Sequence, residues 1–266
     1  MWRNLAQLRR YRGLIQSLVA RELKARYRGS VLGFFWSFVN PLMLLGIYTF
    51  VFAKILPNPS ELTRPYSVFM FCGLLPWTWF SASLTEASGS LISGGNLIKK
   101  VLFPAEVLPI VAVLSNMVHF FLGVPILIAF MIGFAHMPDP LDLFFFPLAV
   151  AIQLVFTLAL GLILAALTVH FRDIRDLLSN LLTFWFFATP IIYFYQLDSV
   201  QSFRWLFDFN PFFHLVVSYQ EILFFHGPFW EGHLTWLLAL GAGSCALFVL
   251  GYWLFDRLRD SFAEVV

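Results

Sequence analysis

The sequence predicts an all-α integral membrane protein, and three observations lead to this fold class. Hydrophobic residues make up 60% of the 266 residues and charged residues only 12%, whereas soluble domains carry about 45–50% apolar and about 25% charged residues. The mean hydropathy of the chain is +0.80. Six apolar stretches, joined by more polar segments, each reach the roughly 20 residues that a membrane-spanning helix needs.

These six stretches are predicted to be transmembrane helices. They lie at 31–56, 66–92, 107–133, 143–169, 177–196 and 233–255. We expect a single domain, 1–266, composed of a cytoplasmic interface helix at 1–30, a six-span bundle at 31–256 and a cytoplasmic tail at 257–266. The first stretch is too long and too far along the chain for a cleaved signal peptide, so we expect it to remain in the mature protein.

The distribution of Lys and Arg predicts the orientation of the chain. Fourteen of the 17 basic residues fall in the leader, at 99–100, at 172–175 or after the last span. Only Lys54, Arg64 and Arg204 fall on the other side of the predicted membrane. Because basic residues concentrate in cytoplasmic loops, this split places both termini in the cytoplasm.

The leader combines apolar and basic residues at helical spacing. Leu8, Ile15, Leu18 and Leu23 recur on one face, with Arg and Lys between them. This amphipathic pattern is typical of a helix that lies in the membrane interface. Two interpretations are open: an anchor that only fixes the topology, or a docking surface for a cytoplasmic partner.

The segment at 197–232, just before the last span, is too apolar for a solvated loop. It contains Phe212, Phe213, Phe224 and Phe225. Its length allows two short helices that dip back into the outer leaflet, which is tolerated where such helices are buried in protein or line a cavity.

Composition and motifs exclude several classes of function. A net charge of +2 is too small to indicate nucleic-acid binding, and Cys72 and Cys245 lie in apolar runs without zinc or disulfide spacing. The sequence has no G-x-x-x-x-G-K-[ST] motif, so it does not bind ATP in the Walker manner. It has neither H-E-x-x-H nor G-x-S-x-G, two common hydrolase signatures. We therefore expect no catalytic residue, no metal and no cofactor bound by this chain.

Two local pairs of polar residues offer chemistry, and a structural role is favoured for each. Ser115 and His119 share a helix face, where a helix-to-helix hydrogen bond is favoured over nucleophilic catalysis. Asp173 and Asp176 resemble the D-x-x-D pairs that hold magnesium in membrane transferases, but such enzymes need a second acidic cluster on the same side. Each Asp has an Arg beside it or one turn away, so we expect an ion-pair loop.

Glu86 is the carboxylate that lies well inside a predicted span. An ionisable group at that depth indicates a functional site, and the Ser and Thr residues around it suit a helix that lines a passage. The alternative is that Glu86 lies near enough to the cytoplasmic end of its helix to be solvated.

A resemblance to a known family begins at 21–36, in the run RELKARYRGSVLGFFW. This run resembles the start of the membrane subunits of ABC type-2 polysaccharide exporters, the O-antigen, capsule and teichoic acid permeases. The similarity continues in order at 40–52, 96–109, 171–174 and 210–212. In the family, segments like 96–109 and 171–174 are the cytoplasmic loops, and 210–212 resembles the external gate segment.

The resemblance implies a transporter subunit rather than an enzyme. Two copies would form a homodimer, bind two copies of a separate cytoplasmic ATPase subunit that holds ATP and Mg, and export a lipid-diphosphate-linked polysaccharide. The expected location is the bacterial inner membrane, with membrane lipids as further partners. We expect O-antigen as the cargo ahead of capsule or teichoic acid, although the motifs are shared by all three and none of them identifies a sugar.

The resemblance also nominates three groups of site residues. The residues for coupling to the ATPase are Arg21, Glu22, Lys24, Arg26, Arg28, Lys99, Lys100, Phe103 and Pro104. The basic ones could equally bind anionic lipid or the diphosphate of the cargo. The translocation pathway is expected to contain Phe34, Phe35, Trp36, Glu86, Trp185, Phe186 and Tyr193, unless these aromatic rings face lipid. The external gate is expected at Asn210, Pro211 and Phe212.

Two other functions are compatible with the sequence. One is a membrane-embedded polyprenyl-diphosphate transferase, which would be active as a single purified protein with magnesium. The other is an exporter of small hydrophobic molecules on the same fold, which would keep its substrate in the absence of polysaccharide synthesis.

Overall fold

The computed structural model describes residues 11–55, 63–99, 103–197 and 201–265, and the regular elements in these ranges are all helical. The α-helices are α1 (Arg12–Arg26), α2 (Trp36–Thr49), α3 (Tyr66–Ser93), α4 (Gly95–Ile98), α5 (Val107–Gly133), α6 (Pro140–Leu143), α7 (Phe146–His170), α8 (Ile174–Phe187), α9 (Arg204–Asp208), α10 (Pro211–Leu223) and α11 (Leu234–Val265). A π-helical turn, Phe50–Ile55, extends α2. The all-α fold class is confirmed.

Within the described ranges, four helical stretches are long and apolar enough to cross a membrane. They are Tyr66–Ser93, Val107–Gly133, Pro140–His170 and Leu234–Arg259, which coincide with the second, third, fourth and sixth predicted spans. The first predicted span contains a shorter apolar helix, Trp36–Phe52, and the fifth contains α8, which has 14 residues. The total of six spans stays a prediction.

Local sequence explains why α2 and α8 are shorter than their predicted spans. Gly29 and Gly33 have φ angles of +80° and +50°, a left-handed conformation that residues with a side chain disfavour, so the chain turns before α2 begins. α8 ends at Phe187, and Pro190 follows, which has no backbone N–H to extend a helix. In contrast, α11 continues to Val265, through most of the predicted tail.

α3 lies at the centre of the bundle, packed against α2, α5, α7, α8 and α10. Its side chains Trp79 and Phe80 are at most 2% exposed. α11 packs along α7, and α1 packs across the first part of α5, where Leu18 is buried against Val107 and Val111. The bundle therefore surrounds α3 and leaves α1 and α11 at its outside.

Several helix ends meet at one end of the bundle, which we call the basic end. Leu91 of α3, Ala105 before α5, Val169 of α7 and Phe262 of α11 form one buried cluster there. The basic residues of α1, of the 99 and 172–175 loops and of the end of α11 belong to these same ends. The side that the Lys and Arg pattern predicts to be cytoplasmic is therefore a single end of the structure.

In the described part of the segment at 197–232, two short α-helices, α9 and α10, are present as predicted, followed by a 3₁₀ turn, Phe229–Glu231. Asn210 caps α10, because its Oδ1 accepts a hydrogen bond from the N–H of Phe212 at 3.0 Å. Pro211 occupies the first turn, where the missing N–H leaves no bond unmade. Residues 212–220 of α10 are all buried, as expected for a helix enclosed by protein; its function as a gate stays a prediction.

Candidate functional site

A groove of about 630 Å³ lies beside α3, between α2 and α8. We call it the membrane groove. α3 and α8 run in opposite directions. The aromatic residue of α3 therefore lies opposite those of α8 along the groove, and the polar residues lie opposite each other as well. Aromatic rings line the half away from the basic end, and hydroxyl groups with one carboxylate line the other half. The rings are Tyr48, Trp77, Phe186 and Phe187, and the polar side chains are Thr78, Ser81, Thr85, Glu86, Ser179 and Thr183.

A second cavity of about 500 Å³ lies at the basic end, between α1, the last turns of α3 and the start of α5. We call it the basic cleft. Arg21 and Glu22 of α1 and Arg175 of α8 line it. Thr85 and Glu86 line both the basic cleft and the membrane groove. The two cavities therefore adjoin at one polar strip of α3.

A third cavity of about 420 Å³, the lateral cleft, lies between α2, α3 and α5 and reaches the end of α1. Arg26, Tyr27 and His119 line it. It shares Thr78 and Ala82 with the membrane groove. All three cavities thus touch the same face of α3.

Three side chains from three helices lie where these cavities meet, and we call them the Arg26–Glu86–Asn116 triad. Arg26 forms an ion pair with Glu86 (Nη2 to Oε1, 2.5 Å) and donates to Oδ1 of Asn116 at 3.2 Å. Asn116 donates in turn to Oε2 of Glu86 at 2.7 Å. The Glu86 side chain is 36% exposed, so it is neither fully solvated nor left as an unpaired charge in the span. The triad offsets the cost of placing a carboxylate there and ties α1 to α3 and α5.

Tyr27, which follows Arg26 in the chain, forms a second polar link, between α5 and α2. Its hydroxyl lies 2.6 Å from Oγ of Ser37 and 2.5 Å from Nε2 of His119. Nδ1 of His119 lies 2.9 Å from the carbonyl of Ser115, which can only accept, so in the neutral ring Nδ1 donates and Nε2 accepts from Tyr27. His119 therefore bonds to Tyr27, the residue just after α1, so its role is structural as expected, whereas the Ser115 hydroxyl is buried without a partner in the described part of the chain.

The expected ion-pair loop at the start of α8 is not formed. Asp173 and Asp176 are exposed, and neither makes a salt bridge with another described residue. Exposed charges gain little from pairing because water screens them. Arg175 instead lies over α3, with its Cζ 3.8 Å from the place that a Cβ on Gly89 would take. Within 11–55, 63–99, 103–197 and 201–265, no group of three or more His, Cys, Asp or Glu side chains could hold a metal ion.

Comparison with known proteins decides the family. The family model described as ABC-2 type transporter matches residues 13–224. The chain belongs to this family. It is similar to the O-antigen export system permease protein RfbA of Myxococcus xanthus, with 42% identity over 100% of both chains. The protein of the same name from Klebsiella pneumoniae is 31% identical over 95% of both chains. The capsule polysaccharide export inner-membrane protein CtrC of Neisseria meningitidis is 27% identical over 64% of this chain and 63% of its own. The resemblance to polysaccharide exporter permeases is confirmed.

In this ABC-2 family member, the residues expected to couple to an ATPase lie on neighbouring elements of the basic end. Arg21, Glu22, Lys24, Arg28 and Lys99 are exposed. Phe103 joins the apolar cluster of Leu18, so α1 and the loop before α5 are held against each other. Pro104 is buried, Arg26 belongs to the triad, and Lys100 lies outside the described residues. Their contact with an ATPase stays a prediction.

The residues expected to form the translocation pathway separate into several environments. Glu86 and Phe186 line the membrane groove. Trp36 lines the lateral cleft and donates its Nε1–H to Oγ of Ser30 at 3.0 Å. Phe35 is 68% exposed, and the side chain of Phe34 lies outside the described part of the structure.

Trp185 and Tyr193 do not line the membrane groove. The indole N–H of Trp185 donates to Oδ1 of Asn210 at 2.6 Å, and its ring lies 5.3 Å from that of Phe80. The hydroxyl of Tyr193 donates to the carbonyl of Phe187 at 3.0 Å. These contacts give both side chains a packing role at the end of α8.

The polar half of the membrane groove was predicted on α3, from Glu86 and the Ser and Thr residues around it, but not on α8, although the sequence carries a signal there too. Ser81 and Thr85 lie four residues apart on α3, and Ser179 and Thr183 repeat this spacing on α8. Residues four apart share a helix face. Two facing helices with such hydroxyl strips indicate a polar passage between them.

The three residues of the expected external gate hold α10 in place. Nδ2 of Asn210 donates to the carbonyl of Ala188 and to Oγ1 of Thr189, both at 3.0 Å. Phe212 is fully buried, with its ring 4.4 Å from that of Phe80 and 5.1 Å from that of Trp77. This segment therefore joins α10 to α3 and to the end of α8.

Proposed function

We propose that the chain is the permease subunit of an ATP-driven exporter that moves a lipid-linked polysaccharide, an O-antigen, across the bacterial inner membrane. The observation that carries this proposal is the 42% identity to the Myxococcus xanthus O-antigen export permease over 100% of both chains. The polysialic acid transport protein KpsM of Escherichia coli is only 24% identical over 78% of this chain, which supports O-antigen ahead of capsular polymers as the cargo.

The chemistry of the membrane groove suits a sugar chain. Aromatic rings offer flat apolar faces for the C–H faces of sugar rings, and hydroxyl groups offer exchangeable hydrogen bonds. Within the groove these two kinds of group are arranged along α3 rather than around one closed pocket. Such a lining supports movement of a polymer better than tight binding of one unit.

The basic end supplies the proposed connection to the ATPase. The sequence has no Walker motif, so ATP and Mg would be bound by a separate subunit. α1 carries the exposed charged side chains Arg21, Glu22 and Lys24, Arg28 follows two residues after its end, and the triad links its last residue, Arg26, to α3. A push on α1 by the ATPase would therefore reach the wall of the membrane groove. Two copies of the chain, each with an ATPase subunit and with both termini in the cytoplasm, complete the proposed assembly.

Deletion of the gene for this chain from its host tests whether O-antigen is the cargo. We expect cells without it to lose O-antigen from the surface and to accumulate lipid-linked O-antigen in the inner membrane, measured by surface labelling and by extraction of the lipid-linked glycan. Absence of the glycan itself would instead indicate a transferase. Normal surface O-antigen would contradict the proposal and favour a small hydrophobic substrate.

Charge reversal at the loop before α5 tests the coupling. We expect the chain to purify with an ATPase encoded beside it, and the Lys99→Glu/Lys100→Glu variant to lose assembly or to hydrolyse ATP without export. The Lys99→Arg/Lys100→Arg variant keeps the charges and serves as the control, with near-normal coupling. If the two variants assembled with the ATPase and coupled hydrolysis to export equally well, the loop would not be part of the coupling surface.

Filling the membrane groove tests the pathway. Thr183 is exposed in the groove, and its side-chain hydrogen bond within the described residues is to the carbonyl of Ser179 in its own helix, so Thr183→Trp should leave the fold intact. We expect this variant to assemble with the ATPase but to block export. The control is Leu250→Trp on α11, where the replaced side chain is 60% exposed outside every described cavity, and where export should be unchanged. Full export by Thr183→Trp would place the pathway elsewhere.

A further inference from the structure

A separate pocket of about 340 Å³ lies at the end of the bundle opposite the basic end. It is formed by the segment that follows α8 and by the turn between α10 and α11. Its volume falls in the range of about 300–1,000 Å³ that is usual for small-ligand sites. We call it the outer pocket, since the proposed function places this end outside the inner membrane.

The floor of the outer pocket is aromatic and rigid. Phe225 and Phe194 line it with their ring centroids 5.4 Å apart. Behind them, the fully buried Phe69 lies 6.0 Å from Phe225, and Phe224 lies 5.2 Å from it. Since these supporting rings are part of the core, the floor cannot shift without repacking α3.

The rim of the outer pocket carries a carboxylate in a fixed position. Glu221 accepts hydrogen bonds from the Tyr195 hydroxyl at 3.3 Å and from the backbone N–H of His233 at 3.0 Å. Nδ1 of His233 lies 3.2 Å from the same carboxylate. A Cβ on Gly232 would lie only 2.6 Å from Oε2, so glycine there permits this close approach. The Glu221 carboxylate is therefore preorganised.

Among the other polar side chains of the rim, which include the exposed His226, two offer further acceptors. Gln196 is exposed, its Nε2 donates to the Tyr195 hydroxyl at 3.0 Å, and its amide oxygen has no hydrogen-bond partner among the residues that the structure describes. Glu231 is exposed in a 3₁₀ turn and makes no salt bridge with a described residue. The rim thus offers carboxylate and amide acceptors above an apolar floor.

This arrangement selects a class of ligand. A sugar ring presents apolar C–H faces to an aromatic floor and a belt of hydroxyl donors to planar acceptors at its edge. Two carboxylates line the outer pocket, and Lys and Arg do not occur among its described lining residues, which disfavours phosphate or an anionic headgroup. The chemistry therefore fits a neutral sugar residue.

A short stretch of chain connects the membrane groove with the outer pocket. Phe187 lines the groove, and its carbonyl accepts a hydrogen bond from the Tyr193 hydroxyl at 3.0 Å. The next two residues, Phe194 and Tyr195, already line the outer pocket. A polymer that leaves the groove would therefore meet this pocket close to the end of α8.

We propose that the outer pocket is a sugar-binding subsite that holds one residue of the exported chain as it emerges. The inference rests on the proposed function, because it takes the cargo to be a polysaccharide. Binding of emerging sugar at this end would bias the chain against sliding back between successive ATP-driven steps.

Saturation-transfer NMR tests the subsite with the full chain in lipid nanodiscs. The probe is O-polysaccharide of the host strain, freed from its lipid by mild acid. We expect saturation transfer to sugar C–H protons with the unaltered protein, and its loss with Gly227→Trp. A Cβ at Gly227 meets nothing within 4 Å, so the indole can fill the pocket without displacing the core.

Removal of a single acceptor gives a graded test. Glu231→Ala should weaken binding by about tenfold, the loss expected for one hydrogen bond to a charged group. Thr235→Ala, exposed nearby on α11 and outside the outer pocket, is the matched control and should leave binding unchanged.

Export measured in cells separates the two proposals. If the unaltered protein exports the polysaccharide but shows no saturation transfer, or if transfer persists in Gly227→Trp, the subsite is overturned and the exporter stands. If cells that lack the chain still display O-antigen, the proposed function itself fails.

Discussion

α3 and α11 are both long apolar helices, yet they have opposite environments. In the most apolar 18-residue stretch of α3, 78% of the residues are buried inside the protein, compared with 17% in α11. α3 is nevertheless the less apolar of the two and carries Glu86 together with several Ser and Thr residues. A soluble protein shows the reverse, with its most apolar segments innermost.

The difference shows what drives burial when lipid is the solvent. Leu and Phe gain little by leaving lipid for protein, whereas polar groups gain partners and small residues allow close packing. α3 supplies both, through the triad and through glycines that face its neighbours. α11 presents Leu250 and Trp253 outward, where they are 60% and 49% exposed, as a lipid-facing helix would.

Truncation of a large side chain is expected to give the largest contrast between the two helices. Phe80 of α3 is fully buried and contacts Phe212 at 4.4 Å and Trp185 at 5.3 Å between ring centroids. Phe80→Ala should lower the free energy of unfolding by about 3–5 kcal/mol, because a cavity remains at the centre of the bundle. Leu250→Ala on α11 should change it by less than about 0.5 kcal/mol.

Unfolding of the two purified variants in mixed micelles with increasing SDS measures this contrast. Equal losses of unfolding free energy would mean that protein packs against Leu250 as closely as against Phe80, and would contradict the difference in burial between α3 and α11.

Glycine substitutions on α11 sharpen the comparison, since one face of α11 does pack on α7. A Cβ on Gly251 would lie 2.9 Å from the carbonyl oxygen of Ala159, a backbone atom that cannot turn aside. Gly251→Ala should therefore cost about 1–3 kcal/mol. On Gly243 a Cβ meets nothing within 4 Å, so Gly243→Ala should be neutral or slightly stabilising. Thermal unfolding in detergent compares the pair, and a neutral Gly251→Ala would show that α7 and α11 are loosely joined.

The ion pair of the triad should give the smallest effect, and a double-mutant cycle isolates it. Variants Arg26→Met and Glu86→Gln, alone and together, should report a coupling of about 1 kcal/mol, typical of polar contacts between helices in membranes. The control cycle uses Arg204 and Asp208, which lie 3.8 Å apart on the exposed α9. Their coupling should be at most about 0.5 kcal/mol. Similar values for both cycles would mean that the triad does not tie α1 to α3.

Sequence reasoning located most of the helices because span length and polarity are local properties. The third predicted span, 107–133, has the same limits as α5, Val107–Gly133. The fifth, 177–196, extends past the end of α8 at Phe187, because apolar composition alone does not register the break at Pro190. Residues beyond that break are apolar as well, but they are in turns.

The candidate site was predicted only in part, and Trp185 and Phe186 show why. They are adjacent in sequence and equally aromatic, but consecutive residues point about 100° apart on a helix. Phe186 lines the membrane groove, while Trp185 turns towards Asn210. Which of the two faces the passage depends on how α8 is rotated against α3, and that rotation is set by contacts with distant residues.

The sequence by itself determined the all-α membrane fold, the clustering of basic residues at one end and the membership of the ABC-2 family. These follow from composition, from the spacing of charges and from short motifs, none of which requires knowledge of the tertiary contacts. The tertiary structure decided the triad, in which Arg26 meets residues 60 and 90 positions away, and the shape of the groove and the outer pocket. Such sites depend on the packing angles of helices, and the same apolar pattern is compatible with many of them.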